Sequence, residues 1–127
     1  MGDTMPRFLP VLLLVGAMLS AQELKNPELS NYEVLSAALA HHTPPGLIVL
    51  DVRSPEDYAT GHIPGAVNLP LERAFSDFPS NSAMTPLVVY GRPASADARK
   101  AVDILRTRGY KNVILFGSIS LWKGDLQ

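Results

Sequence analysis

Three uninterrupted apolar runs constrain this chain more than any other feature: Leu47-Ile48-Val49-Leu50, Leu87-Val88-Val89-Tyr90 and Val113-Ile114-Leu115-Phe116. A strand with one wet face alternates apolar and polar residues. A continuous apolar run suits a strand covered on both faces, as in a parallel sheet. Parallel strands need long crossovers, and the intervening segments carry helical signals. Ser30-Asn31-Tyr32-Glu33 has capping-box spacing, with Ser30 at the N-cap, and Tyr32, Leu35, Ala38 and Leu39 recur at helical period. His41-His42-Thr43-Pro44-Pro45-Gly46 ends that helix. Ser54-Pro55 opens a short helix with Glu56 and Asp57 in its first turn, and Gly61 closes it. Ala66-Val67-Asn68-Leu69 reads as a short strand and Leu71–Phe78 as a helix. Ser95–Arg108 is the best-patterned helix, with Ala98, Ala101, Val102 and Leu105 on one face and Gly109 as its stop. The order predicts an α/β domain with a parallel sheet, right-handed crossovers and helices on both faces. Ligands of such sheets bind beyond the carboxyl ends of the strands.

The amino-terminal segment reads as an address rather than as fold. Phe8–Leu19 (FLPVLLLVGAML) is uncharged, preceded by Arg7 and followed by no charge before Glu23. The run is shorter than the roughly 20 residues that span a bilayer. It suits a signal-peptide core, with Leu19-Ser20-Ala21 as the small-residue exit. Asp3 spoils a positive leader, and a start at Met5 removes it. Gln22 stands where a lipoprotein box requires cysteine, which excludes acylation. The alternatives are an uncleaved anchor or a buried helix. The expected organisation is a signal peptide at 1–21, a linker at 22–29 and one domain at 30–127. Its location is then periplasmic or secreted, with membrane contact only if the leader is retained.

Charge and cysteine content exclude several functions. The formal net charge is -1, so no broad electrostatic attraction draws the chain to nucleic acid. There is no cysteine at all, which removes disulfides, thiolate metal sites and any cysteine nucleophile. His41 and His42 are adjacent on one loop and do not make a metal site. No cofactor and no metal is expected.

Asp51-Val52-Arg53-Ser54-Pro55-Glu56-Asp57-Tyr58 followed by Gly61-His62-Ile63-Pro64-Gly65-Ala66-Val67-Asn68-Leu69-Pro70 resembles the rhodanese homology domain. The likeness extends through Gly109-Tyr110, Asn112-Val113, Phe116-Gly117 and Trp122, covering about Ser30 to Trp122. It implies a three-layer α/β domain with a central five-stranded parallel sheet. Physical chemistry gives the signature structural work. Asp51 and Arg53 at a strand's carboxyl end brace loops by a charge-assisted hydrogen bond. Gly61 and Gly65 permit backbone conformations that side chains resist. His62 braces the Gly-His-Ile-Pro-Gly turn rather than acting as a base.

In active rhodaneses the strand matching Leu87–Tyr90 leads directly into the nucleophilic cysteine. A loop of backbone N–H groups then cradles the persulfide or the substrate anion. Here the cysteine position is Gly91, the usual loop glycine is Ala94 and the usual arginine is Ala96. Pro93 removes a donor, and Asp97 places a negative charge where an anion would sit. Sulfur transfer needs a thiolate, and Ser95 is a poor substitute without a partner base. Phosphatase chemistry on this fold needs the same cysteine. Gly91, Arg92, Ala94, Ser95, Ala96 and Asp97 therefore form a vestigial anion loop. Arg92, Arg99 and Lys100 flank it, either holding an anion or forming a solvated helix face; Arg53 joins them if it is not internally paired. The expected function is a catalytically inactive module that binds a protein partner or a small anion. The alternative is a sulfurtransferase-related enzyme that uses a non-cysteine group or a partner-supplied thiol. Only Lys123–Gln127 follow Trp122, so a final covering helix is expected to be short or absent, leaving apolar surface open.

Overall fold

A computed structural model describes residues 28–127. The expected leader at 1–21 and most of the linker at 22–29 lie outside the described residues. Among those described, no helix is long and apolar enough to cross a membrane.

Four strands form one parallel sheet: β1 (Ile48–Asp51), β2 (Val67–Asn68), β3 (Leu87–Gly91) and β4 (Val113–Ser118), in the order β2-β1-β3-β4. The expected count was five; among the described residues there are four. The α-helices are α1 (Tyr32–His41), α2 (Pro55–Thr60) and α3 (Asp97–Thr107). Short 3-10 turns occupy Glu28–Ser30, Leu71–Arg73 and Ile119–Leu121.

Alternate residues of each apolar strand serve opposite faces, as the pleat requires. Leu50, Leu87, Val89 and Val113 pack with Ala98, Ala101, Val102 and Leu105 of α3. Val49, Val88, Tyr90, Ile114 and Phe116 pack with Leu35 and Ala38 of α1. Every residue of β3 is buried, which is why its run carries no polar alternation. The sheet thus has a helix layer on each face.

Several boundaries differ from the sequence reading, each for a local reason. The N-cap of α1 is Asn31, not Ser30: Asn31 Oδ1 accepts from the N–H groups of Glu33 at 2.8 Å and Val34 at 3.2 Å. Helix α3 begins at Asp97 rather than Ser95. Ala94 adopts φ 55°, a left-handed conformation no helix can include, and Ser95 Oγ takes the Asp97 N–H. The segment 71–78 closes only a 3-10 turn. Arg108 Nη1 donates to the carbonyls of Ala74 and Asp77, while Phe75 and Phe78 point to solvent instead of forming an apolar stripe. The β2 strand is two residues, shorter than the expected Ala66–Leu69.

Candidate functional site

The carboxyl ends of β1 and β3 place two groups of residues side by side. Asp51 pairs in register with Tyr90, and Gly91, the next residue, pairs with Ser118 of β4. The β3–β4 pairing shifts register just before this point: Val89 pairs with Leu115 but Tyr90 pairs with Gly117, so Phe116 of β4 is the extra residue of a bulge.

The first group is buried and ionic. Asp51 is fully buried and Arg53 nearly so. Arg53 donates from Nε to Asp51 Oδ1 at 3.0 Å and from Nη2 to Asp51 Oδ2 at 2.6 Å, a bidentate pair. The same Nη2 reaches the Gly61 carbonyl at 2.6 Å. Burial works against the guanidinium charge, and the Asp51 carboxylate more than restores it, so Arg53 remains a cation. Tyr90 completes the network: its hydroxyl donates to Asp51 Oδ2 at 2.7 Å and accepts from the Ile63 N–H at 3.1 Å. Burial, together with the hydrogen bond its hydroxyl donates to the Asp51 carboxylate, pushes the phenol pKa strongly upward. Asn68 Nδ2 donates to the carbonyls of Asp51 and Arg53, both at 3.0 Å. Arg53 is thus internally paired and does not reach for an anion.

The sequence alone places Tyr90 as a buried strand residue and gives it no part in the site. A signal existed: a tyrosine inside an otherwise apolar run must find a partner for its hydroxyl.

Gly61, His62 and Gly65 form the turn this network holds. Gly65 lies at φ 81°, where a side chain is strained. Gly61 does not need the unusual backbone conformation expected of it. Its φ of 160° is extended backbone, but a Cβ there would lie 3.2 Å from Leu126 Cδ1. His62 stacks on Tyr58 with ring centroids 3.8 Å apart, its Nδ1 3.0 Å from the Tyr58 carbonyl oxygen.

The second group is the loop after β3. Gly91 is buried at the strand end, under the first turn of α3, and a Cβ there would lie 3.3 Å from Ala98 N and 3.4 Å from Val52 Cγ2. Arg92 turns back on its own loop: its Nη2 donates to Asp97 Oδ2 at 2.9 Å. The Arg92 guanidinium holds the Asp97 carboxyl below the usual carboxylate range. Asp97 opens α3, so its carboxylate also faces the positive end of that helix. Pro93 and Ala96 are exposed and contribute no side-chain hydrogen bond. Among the described residues no base is hydrogen-bonded to Ser95 Oγ. Arg99 and Lys100 are exposed on α3. A pocket of about 520 Å³ opens beside the loop, bounded by Arg92, Ala94, Arg99, Leu115, Ser118 and Leu121.

His41 ends α1 and His42 is its left-handed cap at φ 54°. Among the described residues no cluster of three or more potential ligands could hold a metal. Chemically, the 91–97 loop offers one internally neutralised cation, one hydroxyl without a base and no thiol.

Residues 33–125 match the family model of the rhodanese-like domain. A thiosulfate sulfurtransferase GlpE of Pseudomonas entomophila (strain L48) is 35% identical over 82 residues, 61% of this chain and 72% of that protein. A TBC domain-containing protein kinase-like protein of Mus musculus is 31% identical over 87 residues. That match takes in 60% of this chain but spans only 10% of the mouse protein's length. Among solved structures, the rhodanese-like domain of the Alr3790 protein from Anabaena sp. superposes with a TM-score of 0.65. It is 29% identical, with 76% of each chain covered.

Proposed function

The chain belongs to the rhodanese-like domain family, and we propose that within it this is a member without sulfur-transfer activity, exported, that works by binding a protein partner. One observation carries the reading: the chain has no cysteine and so no thiolate for sulfur transfer, and Gly91 ends β3 where the family resemblance puts the nucleophile. Two further features support it. Asp97 already neutralises Arg92, and Pro93 offers no N–H to the loop. Both argue against a retained sulfur substrate and in favour of a loop kept for its shape. Export rests on the uncharged segment Phe8–Leu19 and the small-residue exit at Leu19-Ser20-Ala21.

Incubation with thiosulfate followed by intact-mass measurement tests the inactivity. The native chain gains no sulfur atom; a stable gain of one sulfur would overturn the reading. The same spectrum of protein recovered from an exporting host tests the leader, with loss of residues 1–21 expected and a full-length mass contradicting it. A small anion is the second ligand class, because Arg99 and the hydroxyls of Ser95 and Ser118 border the pocket. Thiosulfate, sulfite, sulfate and phosphate at millimolar concentration then raise the melting temperature, since a ligand of the native state must stabilise it. No shift with any of them leaves the protein partner.

A further inference from the structure

Arg108 is fixed at one side of its guanidinium and open at the other. Its Nη1 donates inward, to the carbonyls of Ala74 at 2.7 Å and Asp77 at 2.6 Å. Nε and Nη2 have no hydrogen-bond partner among the described residues, and neither is sealed from solvent. Arg53 shows what that edge does elsewhere in the same molecule: its Nε and Nη2 together grip the Asp51 carboxylate. No such partner is at hand for Arg108. The one carboxylate within residues 74–84, Asp77, is taken by Arg73 at 2.6 Å. From Ile104 to Gly124 the sequence holds no acidic residue, while Arg106 and Lys111 add positive charge on either side of Arg108.

The surroundings of this guanidinium are aromatic and tied down. Its Cζ lies 4.9 Å from the Phe78 ring centroid and 5.8 Å from that of Tyr110. The Tyr110 hydroxyl donates to the Ser80 carbonyl at 3.1 Å, and the Lys111 N–H to the Ala83 carbonyl at 2.7 Å. A pocket of about 280 Å³ is bounded by Phe78, Ser80, Asn81, Ala83, Arg108 and Tyr110. Among the described residues Arg108 alone brings charge to its lining. Apolar surface continues past it. Phe78 is 78% exposed; so are Phe75 at 68%, next to the Ala74 that Arg108 holds, and Met84 at 63%, next to Ala83 of the pocket. Exposed aromatic and methionine side chains around an arginine have the composition of a protein-binding surface. A free anion would meet the guanidinium and leave Phe75 and Met84 in water; a polypeptide segment covers all of them.

We propose that Arg108, with Phe75, Phe78 and Met84 around it, is a docking site for a protein segment that presents an aspartate or glutamate flanked by apolar side chains. The carboxylate takes the Nε–Nη2 edge as Asp51 takes that of Arg53, and the flanks cover the exposed apolar side chains. Nη1 already orients the guanidinium, so little side-chain freedom is lost on binding. Helix α3 carries the chain from the carboxyl end of β3 to the amino end of β4, which puts this surface at the opposite end of the sheet from the 91–97 loop. The proposal rests on the partner-binding reading above and gives that partner a chemistry.

A nitrogen-15 NMR titration of the purified protein with the capped peptide acetyl-Phe-Asp-Leu-amide, at up to millimolar concentration, reads the site directly. The Arg108 Nε–H signal, assigned by its loss in Arg108→Lys, moves saturably. The asparagine peptide acetyl-Phe-Asn-Leu-amide binds at least about tenfold more weakly, because a neutral amide cannot accept the fork as a carboxylate does. Acetyl-Ser-Asp-Ser-amide, which keeps the charge without the flanks, is weakened by a similar factor. Phe78→Ser and Met84→Ser alter exposed side chains, so each keeps a melting temperature near the native one and weakens the aspartate peptide by at least about threefold. No movement of the Arg108 signal, or an equal response to the asparagine peptide, would overturn the proposal. An equal response to the serine-flanked peptide would also overturn it, marking a site for any anion, as would native affinity in both serine variants. Sulfur uptake by the native chain would defeat the function proposed above without moving this titration, so the two failures are distinguishable.

Discussion

Arg92 and Asp97 close the loop after β3 on itself, with Arg92 Nη2 2.9 Å from Asp97 Oδ2. The pair joins the one loop arginine to the carboxylate that opens α3. An anion approaching the helix end meets a negative charge already in place.

Replacing Asp97 with serine removes that charge and frees Arg92. Sulfate or thiosulfate at millimolar concentration then raises the melting temperature of the variant more than that of the native chain. Equal responses would show that Asp97 does not obstruct the loop. The same residue sets a pH dependence. Its folded-state pKa is lowered by Arg92, so its contribution to stability is complete above the unfolded carboxylate value of about 4 and is lost as pH falls through the lowered value. In thermal unfolding between about pH 5 and 2, the native chain loses stability more steeply than Asp97→Asn.

Tyr90→Phe leaves the Asp51–Arg53 pair intact but strands the buried Ile63 N–H. A buried donor left without an acceptor costs about 1–3 kcal/mol. For a domain of this size each kcal/mol lowers the melting temperature by roughly 4–8 °C. A calorimetric midpoint unchanged from the native chain would remove Tyr90 from the network.

Arg53→Met tests the ion pair more severely, because it leaves Asp51 charged, buried and without its counterion. Removing one partner of a buried pair costs about 3–5 kcal/mol. Denaturant titration of Arg53→Met and of the double variant with Asp51→Asn separates the terms. The double variant recovers part of the loss, and an equal or larger loss in the double would contradict the assignment.

Ala94 holds φ 55° with a Cβ in the way. Left-handed backbone costs an L-residue about 1–2 kcal/mol, and glycine's greater freedom in the unfolded chain offsets part of that. Ala94→Gly therefore stabilises the domain by up to about 1 kcal/mol, read as a rise in midpoint. A fall would mean that the loop relaxes away from its left-handed turn.

The strands were legible in the sequence because burial on both faces leaves nothing but apolar residues at Leu87–Tyr90, and helix α3 because its apolar face repeats at 3.6. The short α2 was legible from Ser54 and Pro55. What escaped the sequence was set by distant partners. Leu71–Phe78 has residues that suit a helix, but Arg108, some thirty residues on, takes two of its carbonyls. Tyr90 and Asp51 are 39 residues apart and meet only through strand register. Gly61 reads as a turn glycine, yet its backbone is extended and the atom nearest to an added Cβ belongs to Leu126, at the far end of the sequence. At the start of α1 two adjacent residues, Ser30 and Asn31, are both good caps by type; Ser30 closes the Glu28–Ser30 turn and Asn31 caps the helix.

Thiosulfate-to-cyanide sulfur transfer, measured on the native chain beside Gly91→Cys, tests the central claim most directly. The substitution is tight but not prohibitive: the new Cβ meets Ala98 N at 3.3 Å and Val52 Cγ2 at 3.4 Å, so small shifts costing about 1 kcal/mol are needed. The native chain produces no thiocyanate above the buffer rate, because Gly91 gives sulfur nowhere to reside. Turnover by the variant alone would place the lost chemistry at that one position. Turnover by the native chain would contradict the account and require a nucleophile other than cysteine.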